Sequence, residues 1–178
     1  MNKLMFKLVL MGDSGTGKSA LINAYIHGSY TKTLFPGPKI EMYVKMEEMA
    51  DGTLVNLQVH GFLALSLKHV KMGKFLGSNL SGTSLVLLCY DMNNAQTLQN
   101  CNDWIQLIRN SNQKTNICLV GCRSDLPMNV DLEFVNELTK KYKLEFHETT
   151  SAKEMKNVNE LFHRCAEWCY KQQTNLRV

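Results

Sequence analysis

The sequence has no run of lysines and arginines, no apolar stretch long enough to cross a bilayer and no cysteine pair at CxxC spacing. Each absence removes a class of function. The balance is mildly basic, with 20 Lys and Arg against 16 Asp and Glu, a formal charge of +4. These charges are scattered, so no nucleic-acid partner is expected. No apolar run approaches the ~20 residues a membrane helix needs. Residues Met1 to Leu10 are apolar but broken by Lys3 and Lys7, and no small-residue cleavage site follows. They read as a first strand rather than a signal peptide. Asn2 does not fit N-myristoylation, and Thr174 to Val178 hold no prenylation cysteine. A cytoplasmic protein without an intrinsic lipid anchor, reaching membranes only through a partner, is the expectation. The six cysteines include no CxxC spacing for zinc or redox chemistry. Several sit in apolar runs, which suits reduced, buried thiols in a reducing compartment.

What remains is ordinary globular composition. The 178 residues are 44% hydrophobic and 20% charged. That suits one domain over residues 1–178, with no linker or internal repeat. Apolar runs alternate with helical patterns. Phe6 to Met11 predicts a strand, followed by a glycine-rich turn and a helix over Lys18 to His27. Met42 to Met49 and Val55 to His60 predict two strands around the hairpin signal Asp51-Gly52. Ser84 to Tyr90 and Asn116 to Val120 read as strands buried on both faces. Leu98, Cys101, Ile105 and Ile108 mark a helix, as do Asp131 to Lys141 and Val158 to Cys169. Leu144 to His147 predicts a short last strand. The sum is an α/β fold: a mostly parallel six-stranded sheet with one antiparallel edge strand and flanking helices.

One motif carries chemistry directly. Gly12-Asp13-Ser14-Gly15-Thr16-Gly17-Lys18-Ser19 fits the pattern GxxxxGK followed by Ser or Thr. It leaves a predicted strand and opens a predicted helix, the context of a phosphate-binding loop. Glycines let the backbone close around phosphates with N–H groups pointing inward. The helix N-terminus adds positive potential. Ser14, Gly15, Thr16, Gly17, Lys18 and Ser19 are therefore the phosphate candidates. Lys18 would reach the β- and γ-phosphates, and the Ser19 hydroxyl is the candidate Mg²⁺ ligand.

Two later segments decide the base. Cys122-Arg123-Ser124-Asp125 follows the fifth strand, and Thr150-Ser151-Ala152-Lys153 follows the sixth. With these, the chain resembles the small GTPases of the Ras superfamily, and the Rab family most closely. The likeness includes Tyr90-Asp91 and Asp103-Trp104, and it runs over nearly the whole chain. It implies a P-loop GTPase fold binding GTP or GDP. By resemblance to the NKxD motif, Asp125 would accept hydrogen bonds from guanine N1 and N2. Ser151, Ala152 and Lys153 match the family's SAK, with the Ala152 N–H toward guanine O6. Arg123 would lay its stem beside the base.

The departures from the family cluster where the γ-phosphate, magnesium and water are handled. Gly61-Phe62-Leu63-Ala64-Leu65 stands where the family has DxxGQ. Gly61 thus replaces the Asp that orders Mg²⁺, and Leu65 the Gln that orients water. Leucine has no side-chain hydrogen-bonding atom for that task. In switch I the register falls on Gly37 or Pro38 in place of a metal-binding Thr, between Pro36 and Pro38. Cys122 replaces an Asn that ties the base loop to the phosphate loop. The histidines show no ligand spacing, and His60 has no evident carboxylate partner for general-base work.

The expectation is a guanine-nucleotide-binding, Rab-like protein with degenerate switches, weakly held Mg²⁺ and little or no hydrolysis. Vesicle traffic or signalling is what the resemblance implies. The alternative is a pseudo-GTPase scaffold with static or no nucleotide. A protein effector or regulator would use the switch segments, through Pro36, Pro38, Phe62, Leu63, Leu65 and Leu67. The apolar residues from Phe62 to Leu67 either pack onto the body or form that surface, and packing is favoured. A nucleotide kinase would need a lid of arginines, and arginine is sparse.

Overall fold

The computed structural model describes residues 4–32, 39–63, 67 and 75–175. Among them the strands are β1 (Leu4–Met11), β2 (Lys39–Glu48), β3 (Leu54–Leu63), β4 (Thr83–Asp91), β5 (Ile117–Cys122) and β6 (His147–Thr149). The helices are α1 (Lys18–His27), α2 (Phe75–Leu80), α3 (Ala95–Ser111), α4 (Leu132–Tyr142) and α5 (Val158–Asn175). The sheet order is β2-β3-β1-β4-β5-β6. β1 runs parallel to both β3 and β4, and only β2 is antiparallel, paired to β3.

Side chains alternate across the pleat, so each central strand feeds two cores. Leu8 and Leu10 of β1 enter one, and Val9 and Met11 enter the other. The first core closes against α1 and α5 through Ile22, Tyr25, Phe162 and Cys165. The second closes against α2, α3 and α4 through Leu76, Leu80, Trp104, Ile105 and Leu138. Burial on both faces explains the continuous apolar runs of β4 and β5. All six cysteines are free and buried.

Local chemistry sets the boundaries. Gly28 ends α1 in the left-handed region, and its N–H returns to the Ala24 carbonyl. Asn94 caps α3 by accepting from the Gln96 N–H. Asp131, read as the first residue of its helix, is instead the N-cap of α4, accepting from the Glu133 N–H at 2.8 Å. Gly52 turns the β2–β3 hairpin at φ 79°, and the Asp51 carboxylate takes the Thr53 N–H at 2.9 Å.

Two expectations need correction. The strand expected over Leu144 to His147 lies at His147–Thr149. Leu144 and Phe146 are buried loop residues filling opposite cores, which gave them their strand-like pattern. Helix α2 was not anticipated, because six residues interrupted by Gly77 carry no readable period.

β1 lies between β3 and β4, so the chain leaves the sheet in opposite directions on either side of it. That is where parallel α/β sheets form clefts, at the carboxyl ends of their strands. The loops after β1, β5 and β6 meet there.

Candidate functional site

The loop after β1 wraps around the Lys18 ammonium. Gly12 sits at φ 130°, and a Cβ there would lie 2.1 Å from the Cys89 carbonyl oxygen. Only glycine fits so close to β4. Gly17 at φ 105° caps α1, and no side chain caps that end of the helix. The first N–H groups of α1 therefore keep their capacity for an anion. Lys18 is only 3% exposed. It donates to the carbonyls of Gly12 at 2.8 Å and Asp13 at 2.5 Å, and to Thr16 Oγ1 at 3.3 Å. Burial lowers its pKa. A buried ammonium on neutral acceptors is electrostatically primed for an anion.

The cleft in front of this loop holds about 330 Å³. Of the sequence-derived candidates, Gly15, Gly17, Lys18, Ser19, Arg123, Asp125, Ala152 and Lys153 line it. Three candidates stand outside the lining. Ser14 is exposed at the loop apex. Thr16 is buried beneath the loop, its hydroxyl donating to the Asp13 carbonyl. Ser151 is fully buried and donates to Asp125 Oδ1 at 2.6 Å, so it orients the carboxylate from behind. The lining carries Lys18, Lys32, Arg123 and Lys153 against one carboxylate, Asp125. Such a field attracts a polyanion. The backbone bonds Ser124 N–H to Thr150 O at 3.0 Å and Thr150 N–H to Gly121 O at 2.8 Å hold the two base-side loops together.

Several residues of the site were not anticipated. Tyr30, Lys32, Leu126 and Thr150 also line the cleft. Asp13 fixes the phosphate loop to α3, taking the Trp104 indole N–H at 2.8 Å and the Asn100 amide at 2.7 Å. Arg123 adopts φ 62°, and its guanidinium pairs with the buried Asp91 carboxylate at 2.6 Å. Its stem approaches Gly17, whose Cβ position would be 3.8 Å from Arg123 Cγ. Asp91 therefore decides where Arg123 points.

Cys122 stands under the phosphate loop and packs on it rather than bonding it. A Cβ at Gly17 would lie 3.3 Å from Cys122 Cβ. The Cys122 thiol titrates below its ordinary range, chiefly through its hydrogen-bonding contact with Cys89, with Lys18 and Thr150 adding to the effect against burial. Cys89 is pushed well up by the same contact and by burial.

The far end of β3 corrects the expected partner surface. Phe62 and Leu63 are 2% and 4% exposed, one in each core. Leu67 is half-buried and packs on the second core. These three side chains cover the body of the protein. Pro36, Gly37, Pro38, Ala64 and Leu65 lie outside the described residues. Gly61 pairs with Leu10 of β1 and Glu41 of β2. A Cβ on Gly61 would be 2.4 Å from Ile22 Cδ1. A methyl of α1 thus occupies the space a side chain at 61 would need. Ser19, which follows Lys18 in the chain, lines the cleft.

A family model described as the Ras family matches residues 7–171. That span includes the phosphate loop, the Asp125 loop and the Ser151-Ala152-Lys153 turn, together with all six strands but the first residues of β1. The match covers most of the chain and agrees with the six-stranded, mostly parallel sheet. The chain belongs to the Ras family of small GTP-binding proteins.

Proposed function

We propose that this chain is a Rab-like member that holds a guanine nucleotide without an ordinary hydrolytic cycle. The phosphates would lie on the backbone of Gly15 to Ser19, with the Lys18 ammonium exchanging loop carbonyls for phosphate oxygens. Asp125, with Ser151 occupying part of one oxygen, would accept the two N–H donors of guanine. The Ala152 N–H would face O6, and the Tyr30 ring and Arg123 stem would flank the base. A bound Mg²⁺ would neutralise phosphate charge, held by Ser19 on the protein side.

The observation that carries the loss of cycling is the Ile22 methyl in the place of a Gly61 side chain. Without a carboxylate there, metal support is thin. With Leu65 in sequence where a water-orienting Gln is expected, hydrolysis is left without its positioning group. Burial of Phe62 and Leu63 supports a switch II start that is packed rather than free to respond to a third phosphate.

The test is to purify the protein without added nucleotide, denature it and identify the released ligand by chromatography. Stoichiometric guanine nucleotide supports the pocket, and mainly GTP supports the loss of hydrolysis. No nucleotide, with no thermal stabilisation by added GTP or GDP, would leave the pseudo-GTPase scaffold.

A further inference from the structure

β2 is an edge strand, and among the described residues no strand pairs with its outer side. It runs ten residues in unbroken register with β3, from Lys39 opposite Leu63 to Glu48 opposite Leu54. It has no bulge and no proline, the usual devices that protect an edge. One face of it is an apolar stripe facing water: Ile40 is 44% exposed, Met42 62%, Val44 56% and Met46 55%. Singly exposed apolar residues are common, but a continuous stripe along an unpaired edge is a docking surface.

The other face of the strand carries charge, and the charges are ordered. Around Tyr43, Glu41 on one side answers Lys45 on the other. The apolar residues are ordered the same way, with Met42 against Val44 and Ile40 against Met46. Such a strand is complementary to its own reverse. In an antiparallel pair about a two-fold axis at Tyr43, Glu41 of each copy meets Lys45 of the other, Met42 meets Val44 and Ile40 meets Met46. Moving the axis to Val44 would set Glu41 against Glu47. Moving it to Met42 would set Glu41 against Tyr43 and lose its pairing with Lys45. One register is favoured over its neighbours.

Two side chains of this charged face are fixed against the body of their own copy. Lys45 donates to the Tyr25 carbonyl at 2.6 Å, and Glu47 accepts the Tyr25 hydroxyl at 2.6 Å and sits 3.1 Å from His163 Nδ1. From this we infer that β2 is the interface of a homodimer, in which two copies join antiparallel through their β2 edges into a continuous twelve-stranded sheet (six strands from each copy). Pairing satisfies the free backbone groups of both edges and brings the stripes of Ile40, Met42, Val44 and Met46 side by side.

The test uses the whole chain and two charge reversals, Glu41→Lys and Lys45→Glu. Wild type is examined by sedimentation equilibrium over a concentration series reaching the high micromolar range, and should reach the dimer mass. Each reversal alone places like charges opposite each other twice per dimer, and should weaken self-association at least tenfold. An equimolar mixture of the two variants restores both attractions, and should return to the wild-type dimer. That recovery separates the interface from any loss of the Lys45–Tyr25 contact, which the Lys45→Glu chains of the mixture still lack. Circular dichroism of each variant checks that it is folded. A wild type that stays monomeric overturns the inference and leaves the edge to a strand of another protein. A dimer indifferent to both reversals places the contact on another face, and a mixture that stays monomeric overturns the register.

Discussion

Ile22 and Gly61 should be energetically coupled, and the size of the coupling follows from one distance. A Cβ at Gly61 would stand 2.4 Å from Ile22 Cδ1 and 3.3 Å from Leu63 Cδ2. Carbon atoms rest about 3.5–4.0 Å apart, so Gly61→Ala overlaps Ile22 by about 1 Å. Ile22 is fully buried and has little room to retreat. Overpacking of this kind costs about 1–3 kcal/mol. Removing a glycine from the unfolded chain returns about 0.4–1 kcal/mol. A net loss of about 1–2 kcal/mol is expected for Gly61→Ala. Ile22→Val deletes the overlapping carbon at a cost of about 0.5–1.5 kcal/mol. In that background Gly61→Ala should be near neutral, giving a coupling energy of about 1–2 kcal/mol. Urea denaturation of the four proteins measures it, provided the m-value is unchanged. A harmless Gly61→Ala, or one equally costly in both backgrounds, would refute the claim that α1 fills this space. The functional stake is direct, because a carboxylate is larger than the methyl tested.

Ser151→Ala removes the hydrogen bond that orients Asp125 and should weaken guanine-nucleotide binding roughly tenfold, about 1.4 kcal/mol, as measured by titration calorimetry. Asp13→Ala leaves the buried Trp104 N–H without its acceptor and should cost about 1–3 kcal/mol of stability, visible in chemical denaturation and in tryptophan fluorescence. His147 is held below its ordinary pKa of 6.5 by burial, and its Nε2 lies 2.9 Å from the Tyr90 hydroxyl. The folded state therefore resists a proton that the unfolded state accepts, so stability falls as pH drops through the window below about 6.5. His60 shifts the same way by burial. His147→Gln should flatten the fall in melting temperature between about pH 7 and pH 5.5.

Legibility in the sequence followed locality. The phosphate loop is eight consecutive residues whose chemistry is mostly backbone, so it could be read without contacts. Helix α1 was read with its true ends because Lys18 follows the loop and Gly28 follows the helix. The doubly buried strands β4 and β5 announced themselves by unbroken apolar runs. β6 did not, since its three half-buried residues carry less pattern than the buried loop before them. Asp125 and Ser151 came from likeness to a family, and their bond to each other joins residues 26 apart. Asp13 to Trp104 spans 91 positions, and no periodicity links them. The Arg123–Asp91 pair and the Ile22 methyl beside Gly61 are likewise properties of the folded chain alone. Phe62 and Leu63 were apolar in sequence under either reading, and only their burial separates packing from display.

The most direct measurement of the central claim is single-turnover hydrolysis. The protein is loaded with GTP labelled at the γ-phosphate, and phosphate release is followed with and without Mg²⁺. The expected result is retained GTP, with release no faster than for free nucleotide and little change on adding or chelating the metal. Steady Mg²⁺-dependent release from loaded protein would contradict it, and would mean that the catalytic positions are supplied by residues other than Gly61 and Leu65.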